Sequence, residues 1–180
     1  MDAFDNMLEF QAVSGDNYLG GKDFNELIAE EFYRENQVDR KKFTGEEQGI
    51  VLKEAEALKW ELSERDEVER KVYLQEKEYT MRMTNQHLIH IGKELFKRMS
   101  LPIRRVINDS GMSTEEIDKL ILVGGSSKMP VVGRYLKTLL DMPVVLDDSP
   151  DESIAAGVGI AAAIKERTGD VKDMILADIC

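Results

Sequence analysis

Leu120-Ile121-Leu122-Val123 runs straight into Gly124-Gly125-Ser126-Ser127-Lys128-Met129-Pro130. This junction constrains the fold more than any other stretch. Four apolar residues in a row, bounded by turn residues, signal a buried strand. Beyond Pro130, Val132, Tyr135, Leu136 and Leu139 recur at helical spacing, and proline is tolerated in a helix's first turn. The junction predicts a buried strand, a tight turn and a helix. Glycines at such a turn let a ligand approach the backbone, and the helix start offers unpaired N–H groups. A plain strand-to-helix turn that binds nothing fits two glycines equally well.

A length of 180 residues suffices for one domain or two subdomains with a real core. The formal net charge of -11 argues against nucleic acid or an anionic membrane as partner. Any nucleotide bound here must find local cations and backbone donors. Cys180 is the sole cysteine. It can form no internal disulfide, which predicts a reducing, cytoplasmic setting. No secretory leader and no span of about 18 apolar residues is visible, so neither export nor membrane insertion is expected.

Met7 to Val13 alternates, with Leu8, Phe10 and Ala12 on one face, and reads as a strand. Met1–Asn6 has turn character, so the strand's hairpin partner is expected to be missing upstream. Gly20-Gly21 precedes a helix on which Asp23 and Glu26 fit a capping box and Phe24, Leu27, Ile28 and Phe32 form the apolar stripe. Thr44 with Glu47 opens a helix to about Ser63, whose core face is Val51, Ala55, Leu58 and Leu62. Glu56, Lys59 and Ser63 share a second face roughly 100° away. By spacing alone that face is solvated, with a weak Glu–Lys pair.

Val68–Leu74 and Tyr79–Met83 read as a hairpin joined at Gln75-Glu76-Lys77-Glu78. A long helical pattern through Leu88, Ile91, Leu95 and Met99 follows, which Pro102 should kink or end. His87 and His90 lie on it without a Cys or second His at i+4, which argues against a metal site. Ser113 with Glu116 caps a short turn, and Pro143–Leu146 is a short strand. Ser149, Pro150 and Glu152 together mark a helix start. That helix carries Gly157 and Gly159, which cost about 1 kcal/mol each relative to alanine and predict close packing on a neighbour. Gly169 suits its C-cap. The tail Met174-Ile175-Leu176-Ala177 is either a last strand or a linker leading onward. No P-loop, catalytic Ser/His/Asp or Cys/His set, or zinc spacing is visible.

Five segments, in order, resemble the nucleotide-binding domain of the DnaK-type (seventy-kilodalton) heat-shock chaperones. They are Gly15–Phe24, the helix from Glu56 to Ser63, Ile121–Pro130, Pro150–Glu152 with its small-residue helix, and Gly169–Leu176. Met99–Ile103 and the Asp178-Ile179-Cys180 ending look closer to the HscC-like branch. The resemblance implies an α/β (α+β) fold of the actin-like ATPase, ribonuclease-H-like type, with two lobes around a nucleotide cleft. The chain resembles the second lobe. Residues 1–20 and 103–169 would form its lower subdomain, 21–102 the small helical-and-hairpin upper subdomain, and 170–180 an interdomain linker centred on Met174, Ile175 and Leu176.

Carried over by position, Gly21 lines the phosphate side. Glu56, Lys59 and Ser63 bond the ribose and adenine. Gly124, Gly125 and Ser126 pass under the phosphates and ribose, Met129 touches the base, and Asp151 closes the far side. The family commonly has arginines where Trp60 and Lys128 stand, two planes that sandwich the adenine. Lys22 also replaces a usual glutamate. Trp60 could stack on a base or pack against the hairpin near Tyr73 or Tyr79, whereas Lys128 has no planar fork.

The family's phosphate loops, catalytic lysine and magnesium-holding residues are absent. The expectation is an excised fragment with no catalytic residue and no metal ligand of its own. The implied activity is that of an ATPase that assists protein folding under stress, with ATP or ADP and Mg2+ in the intact domain. The implied partners are the missing first lobe, the C-terminal peptide-binding domain, a J-domain co-chaperone, a nucleotide exchange factor and unfolded clients. The alternatives are an exchange-factor docking module and a lobe of another actin-fold ATPase.

Overall fold

The computed structural model describes residues 1–4, 7–147, 149, 150, 152–166 and 175–177. Its core is organised on helix α2 (Gly45–Glu61). Thr44 opens this helix as expected. Its Oγ1 accepts from the Glu47 N–H at 3.2 Å, and the Glu47 carboxylate accepts from the Thr44 N–H at 2.8 Å. This reciprocal pair satisfies backbone donors that a helix start leaves over. The stripe Val51, Ala55, Leu58 and Leu62 is buried throughout.

Helix α1 (Gly21–Glu35) lies against α2 and buries Phe24, Ile28 and Phe32. It begins earlier than the expected Asp23–Glu26 capping box. Gly20 is extended and serves as N-cap, and Asp23 is the third helical residue. The Asp23 carboxylate reaches back to accept from the Gly20 N–H at 2.7 Å. Glu26 pairs instead with Arg40 at 2.9 Å.

Strands β3 (Glu67–Leu74) and β4 (Lys77–Thr84) pair antiparallel and bury Val68, Val72, Leu74, Met81 and Met83. Pairing continues to Leu74–Lys77, so the loop is two residues rather than four. Gln75 and Glu76 both take positive φ, 51° and 60°. That is the backbone a two-residue hairpin needs to match strand twist.

The long helical pattern breaks at Gly92 into α3 (Asn85–Ile91) and α4 (Lys93–Ser110). A Cβ at Gly92 would lie 2.7 Å from the Leu88 carbonyl oxygen and 3.2 Å from the Phe96 ring. Only glycine permits that approach. Of the two outcomes expected at Pro102, a kink or an end, the helix does not end there but runs on to Ser110. Met99 and Ile103 pack on the core on either side of it. Burial there offsets the hydrogen bond that proline removes. Ser113 caps the following turn, donating its N–H to the Glu116 carboxylate at 2.7 Å.

The remaining strands are short. β1 (Asp2–Phe4) pairs antiparallel with β2 (Met7–Glu9), and β7 (Ile175–Ala177) lies parallel to β2 on the other side. The hairpin partner expected to be missing is therefore β1. The strand read over Met7–Val13 covers only its first three residues. β5 (Leu120–Leu122) and β6 (Val144–Leu146) pair in parallel across helix α5 (Pro130–Leu140). The β5 strand is not buried on both faces as expected, for Ile121 is 52% exposed. Helix α6 (Ser153–Glu166) starts beyond the Ser149 signal. Ser149 instead heads a turn in which its carbonyl accepts from the N–H groups of Glu152 and Ser153 at 2.9 and 3.0 Å. The expected close packing at Gly157 and Gly159 is not seen among the described residues. No heavy atom lies within 4 Å of a Cβ built at either. Among the described residues nothing explains these two glycines. Gly169 lies outside the described residues.

Candidate functional site

Three elements distant in sequence meet at Gly21. It is the first residue of α1, and its carbonyl oxygen accepts from Lys59 Nζ at 2.9 Å. Lys59 stands in the last turn of α2 and is 6% exposed. The third element is the 3-10 turn Gly125–Lys128 that follows β5. A Cβ on Gly21 would lie 2.7 Å from Ser126 Oγ and 3.1 Å from Lys59 Nζ. The missing side chain is what lets the three converge.

Burial pushes the Lys59 ammonium below the ordinary lysine range, and the Glu56 carboxylate beside it opposes that shift. Glu56 is exposed, one turn earlier on α2. Ser63 is half-buried just past the helix end, and its N–H donates to the Trp60 carbonyl at 3.0 Å. The spacing argument for one shared face of Glu56, Lys59 and Ser63 holds as geometry, but the face is not uniformly solvated. Lys59 is pulled inward by the Gly21 carbonyl.

Trp60 is 71% exposed. The alternative that it packs on the hairpin does not hold. Tyr73 turns its hydroxyl to Glu78 at 2.5 Å, and Tyr79 stacks edge-on against Phe32 and Phe43. Among the described residues no aromatic ring pairs with the indole.

Gly124 has φ +86°, the left-handed region that favours glycine. Its N–H donates to the Pro150 carbonyl, and its own carbonyl accepts from Ser127 N–H at 3.0 Å and Ser127 Oγ at 2.6 Å. The glycine turn is thus tied to the segment that leads into α6. Lys128 is exposed at the end of the turn. Met129 turns its side chain inward. It is 4% exposed and belongs to the core, so its side chain offers a base almost no surface. Asp151 and Met174 lie outside the described residues. Ile175 is exposed, and Leu176 aligns with Leu8 in the β2–β7 pairing.

Sequence reasoning missed a tie just before the Gly20–Gly21 start. Arg98 of α4 donates to the Asp16 carboxylate at 2.8 Å and to the Tyr18 carbonyl at 3.2 Å. The Tyr18 N–H, and then Arg98, hold the Asp16 carboxyl below its usual range. No local pattern signals a pair 82 residues apart. A separate groove lies between β1, α4 and β5 and includes none of the residues above.

The Hsp70 family model, described as "Hsp70 protein", matches residues 2–180. A curated relative, the "Chaperone protein DnaK 1" of Synechococcus sp., is 30% identical over 189 residues. The alignment covers 99% of this chain and 25% of the relative, so the chain spans about a quarter of that protein's length. No described helix is long and apolar enough to cross a membrane. A match over nearly every residue, on a mixed α/β framework with glycine turns before helices, leaves one conclusion: the chain belongs to the Hsp70 family, and its architecture is part of that family's actin-like ATPase fold.

Proposed function

We propose that this chain is one lobe of the ATP-binding domain of an Hsp70-type molecular chaperone and supplies the adenosine-side half of the nucleotide cleft. The convergence of Gly21, Lys59 and Ser126 carries the reading. An ammonium has three N–H donors. Lys59 spends one on the Gly21 carbonyl, which leaves two for a ligand. Glu56 beside it accepts. A ribose diol both donates and accepts, so it matches this pair. Gly21 keeps the space between Lys59 and Ser126 open, and Ser63 adds a further hydroxyl. The exposed indole of Trp60 offers a platform to a purine. The turn Gly124–Ser126 brings backbone groups toward the sugar and phosphates. By the family resemblance Lys128, exposed at the end of that turn, and Asp151 would also face the nucleotide.

The donor set fits the sugar of ATP or ADP. It does not form a magnesium cage, because that ion demands near-octahedral oxygen ligands and Glu56 is a single carboxylate. When bound, Mg2+ neutralises phosphate charge, and this chain's part is to bind and orient the nucleoside. Hydrolysis belongs to groups on the other lobe. In the parent, residues 1–20 and 103–169 form the lower subdomain, 21–102 the upper, and 170–180 the linker to a peptide-binding domain. The parent works in the cytoplasm with a J-domain co-chaperone, an exchange factor and unfolded clients.

The test is an amide-resolved NMR titration of the 180-residue chain with ADP. Perturbations should centre on Gly21, Lys59, Trp60 and Ser126. No perturbation there at millimolar ADP, or perturbation confined to the α4 groove, would sink the reading.

A further inference from the structure

Helices α1 and α3 meet at a cluster that the nucleotide reading leaves unused. The Glu31 side chain of α1 is 7% exposed, yet it is ionic. Arg34 Nε donates to Glu31 Oε2 at 2.7 Å, and its Nη2 donates to Oε1. His87 Nε2, from α3, meets that same Oε1. Glu35 stands one turn beyond Glu31 on α1, on the same face. Glu31, Glu35 and His87 each offer a ligand atom, all within 4.8 Å of one another. The His90 ring stacks beside His87, with centroids 6.4 Å apart and planes at 21°. Spacing within α3 alone finds no second ligand at i+4 from either histidine. The second and third ligands come from another helix.

We propose that Glu31, Glu35 and His87 form a site for a divalent transition-metal ion of the zinc class, which staples α1 to α3. One imidazole with two carboxylates suits zinc and its neighbours. Magnesium and calcium prefer all-oxygen ligands. Two carboxylates neutralise the dication, and a fourth position remains for water. Zinc–ligand bonds of about 2.1 Å set donors about 3.4 Å apart in a tetrahedron. The Glu31 and His87 donors already touch, so they part slightly to admit the ion, while Glu35, which is exposed, rotates in to complete the set. Arg34 now supplies the cation. Its side chain is 65% exposed, so it can turn into water as the metal enters. His87 ligates through Nε2 as a neutral ring, with its proton on Nδ1. None of this depends on the nucleotide reading.

The test uses the 180-residue chain carrying Cys180→Ser, so that the lone thiol takes no metal. Zinc chloride is titrated calorimetrically into chelator-stripped protein, and thermal midpoints are read with and without zinc. One equivalent should bind, with a rise in midpoint, and magnesium chloride should produce neither. His87→Gln and Glu35→Gln should each weaken binding by about tenfold or more. Glu35 is exposed, so its variant keeps the fold, and circular dichroism in chelator checks His87→Gln. Absence of zinc binding to the Cys180→Ser chain, or undiminished binding in Glu35→Gln, overturns the proposal. Magnesium binding as tight as zinc overturns the assignment of the imidazole ligand.

Discussion

Lys59 Nζ and the Gly21 carbonyl oxygen lie 2.9 Å apart across 38 residues of sequence. This bond joins the last turn of α2 to the first residue of α1. It fixes the ammonium that faces Glu56 and Ser126, and several predictions turn on it.

The Lys59 ammonium is buried, and burial lowers its pKa. A lysine whose folded pKa lies below its unfolded value is charged in the unfolded chain at pH values where folding already disfavours the charge. The unfolded state then binds more protons, so stability rises with pH through that window. Lys59→Met has no such charge. Urea midpoints of the two proteins should draw in wild type's favour as pH climbs from neutral toward the lysine range. A difference that is flat with pH would show that the charge carries no folding penalty.

Gly21→Ala places a methyl 2.7 Å from Ser126 Oγ and 3.1 Å from Lys59 Nζ. Both are ends of movable side chains. Alanine also gains about 0.5–1 kcal/mol over glycine in a helix. The variant should therefore fold with a thermal midpoint close to wild type. Its cost should fall on ADP binding, weaker by about tenfold, because Ser126 and Lys59 are pushed out of place. That figure corresponds to about 1.4 kcal/mol. A large loss of midpoint would mean that Gly21 is needed for packing instead.

Trp60 is 71% exposed and has no aromatic partner among the described residues. Trp60→Ala should change folding stability by no more than about 0.5 kcal/mol. In the intact two-lobed protein, ADP should quench Trp60 fluorescence, and Trp60→Ala should weaken ADP binding about tenfold. A stacked base contributes about 1–3 kcal/mol in single-strand binding, which brackets that loss. Trp60→Arg should largely keep affinity through a planar cation. Equal ADP affinity in wild type and Trp60→Ala would remove the adenine platform.

The 180-residue chain alone should release no phosphate from magnesium ATP above a no-protein control. The resemblance assigns the hydrolytic groups to the other lobe. The affinity of this chain for ADP should be no tighter than high micromolar. Losing about 4 kcal/mol of contacts weakens binding by roughly a thousandfold. Turnover by the pure chain, or a submicromolar dissociation constant by calorimetry, would contradict the division of labour.

Thr44→Ala removes the N-cap of α2, whose hydroxyl accepts from the Glu47 N–H at 3.2 Å. The expected loss is about 1 kcal/mol, read as a lower urea midpoint at unchanged m-value. Asn or Asp at position 44 should restore most of it. Full stability in the alanine variant would show that α2 is held by its buried stripe alone.

The sequence by itself determined the elements whose signals are local. Thr44 with Glu47 and the stripe Val51–Ala55–Leu58 specify α2, because caps and helical periodicity act between residues at most four apart. Alternation in Val68–Leu74 and Tyr79–Met83 specifies the hairpin for the same reason. The motifs around Gly21, Glu56 and Gly124 also carried the family. Tertiary structure alone decided the rest. It made β1 a partner for β2 through three residues too short to show a pattern. It split the long helix at Gly92, where Phe96 and the Leu88 carbonyl leave no room for a side chain. It drew Met129 into the core and left Ile121 half exposed. It placed Lys59 against Gly21 and Ser126, and His87 against Glu31. Such pairs join residues tens of positions apart. Their distance is set by how the packed helices cross, which no short-range periodicity encodes.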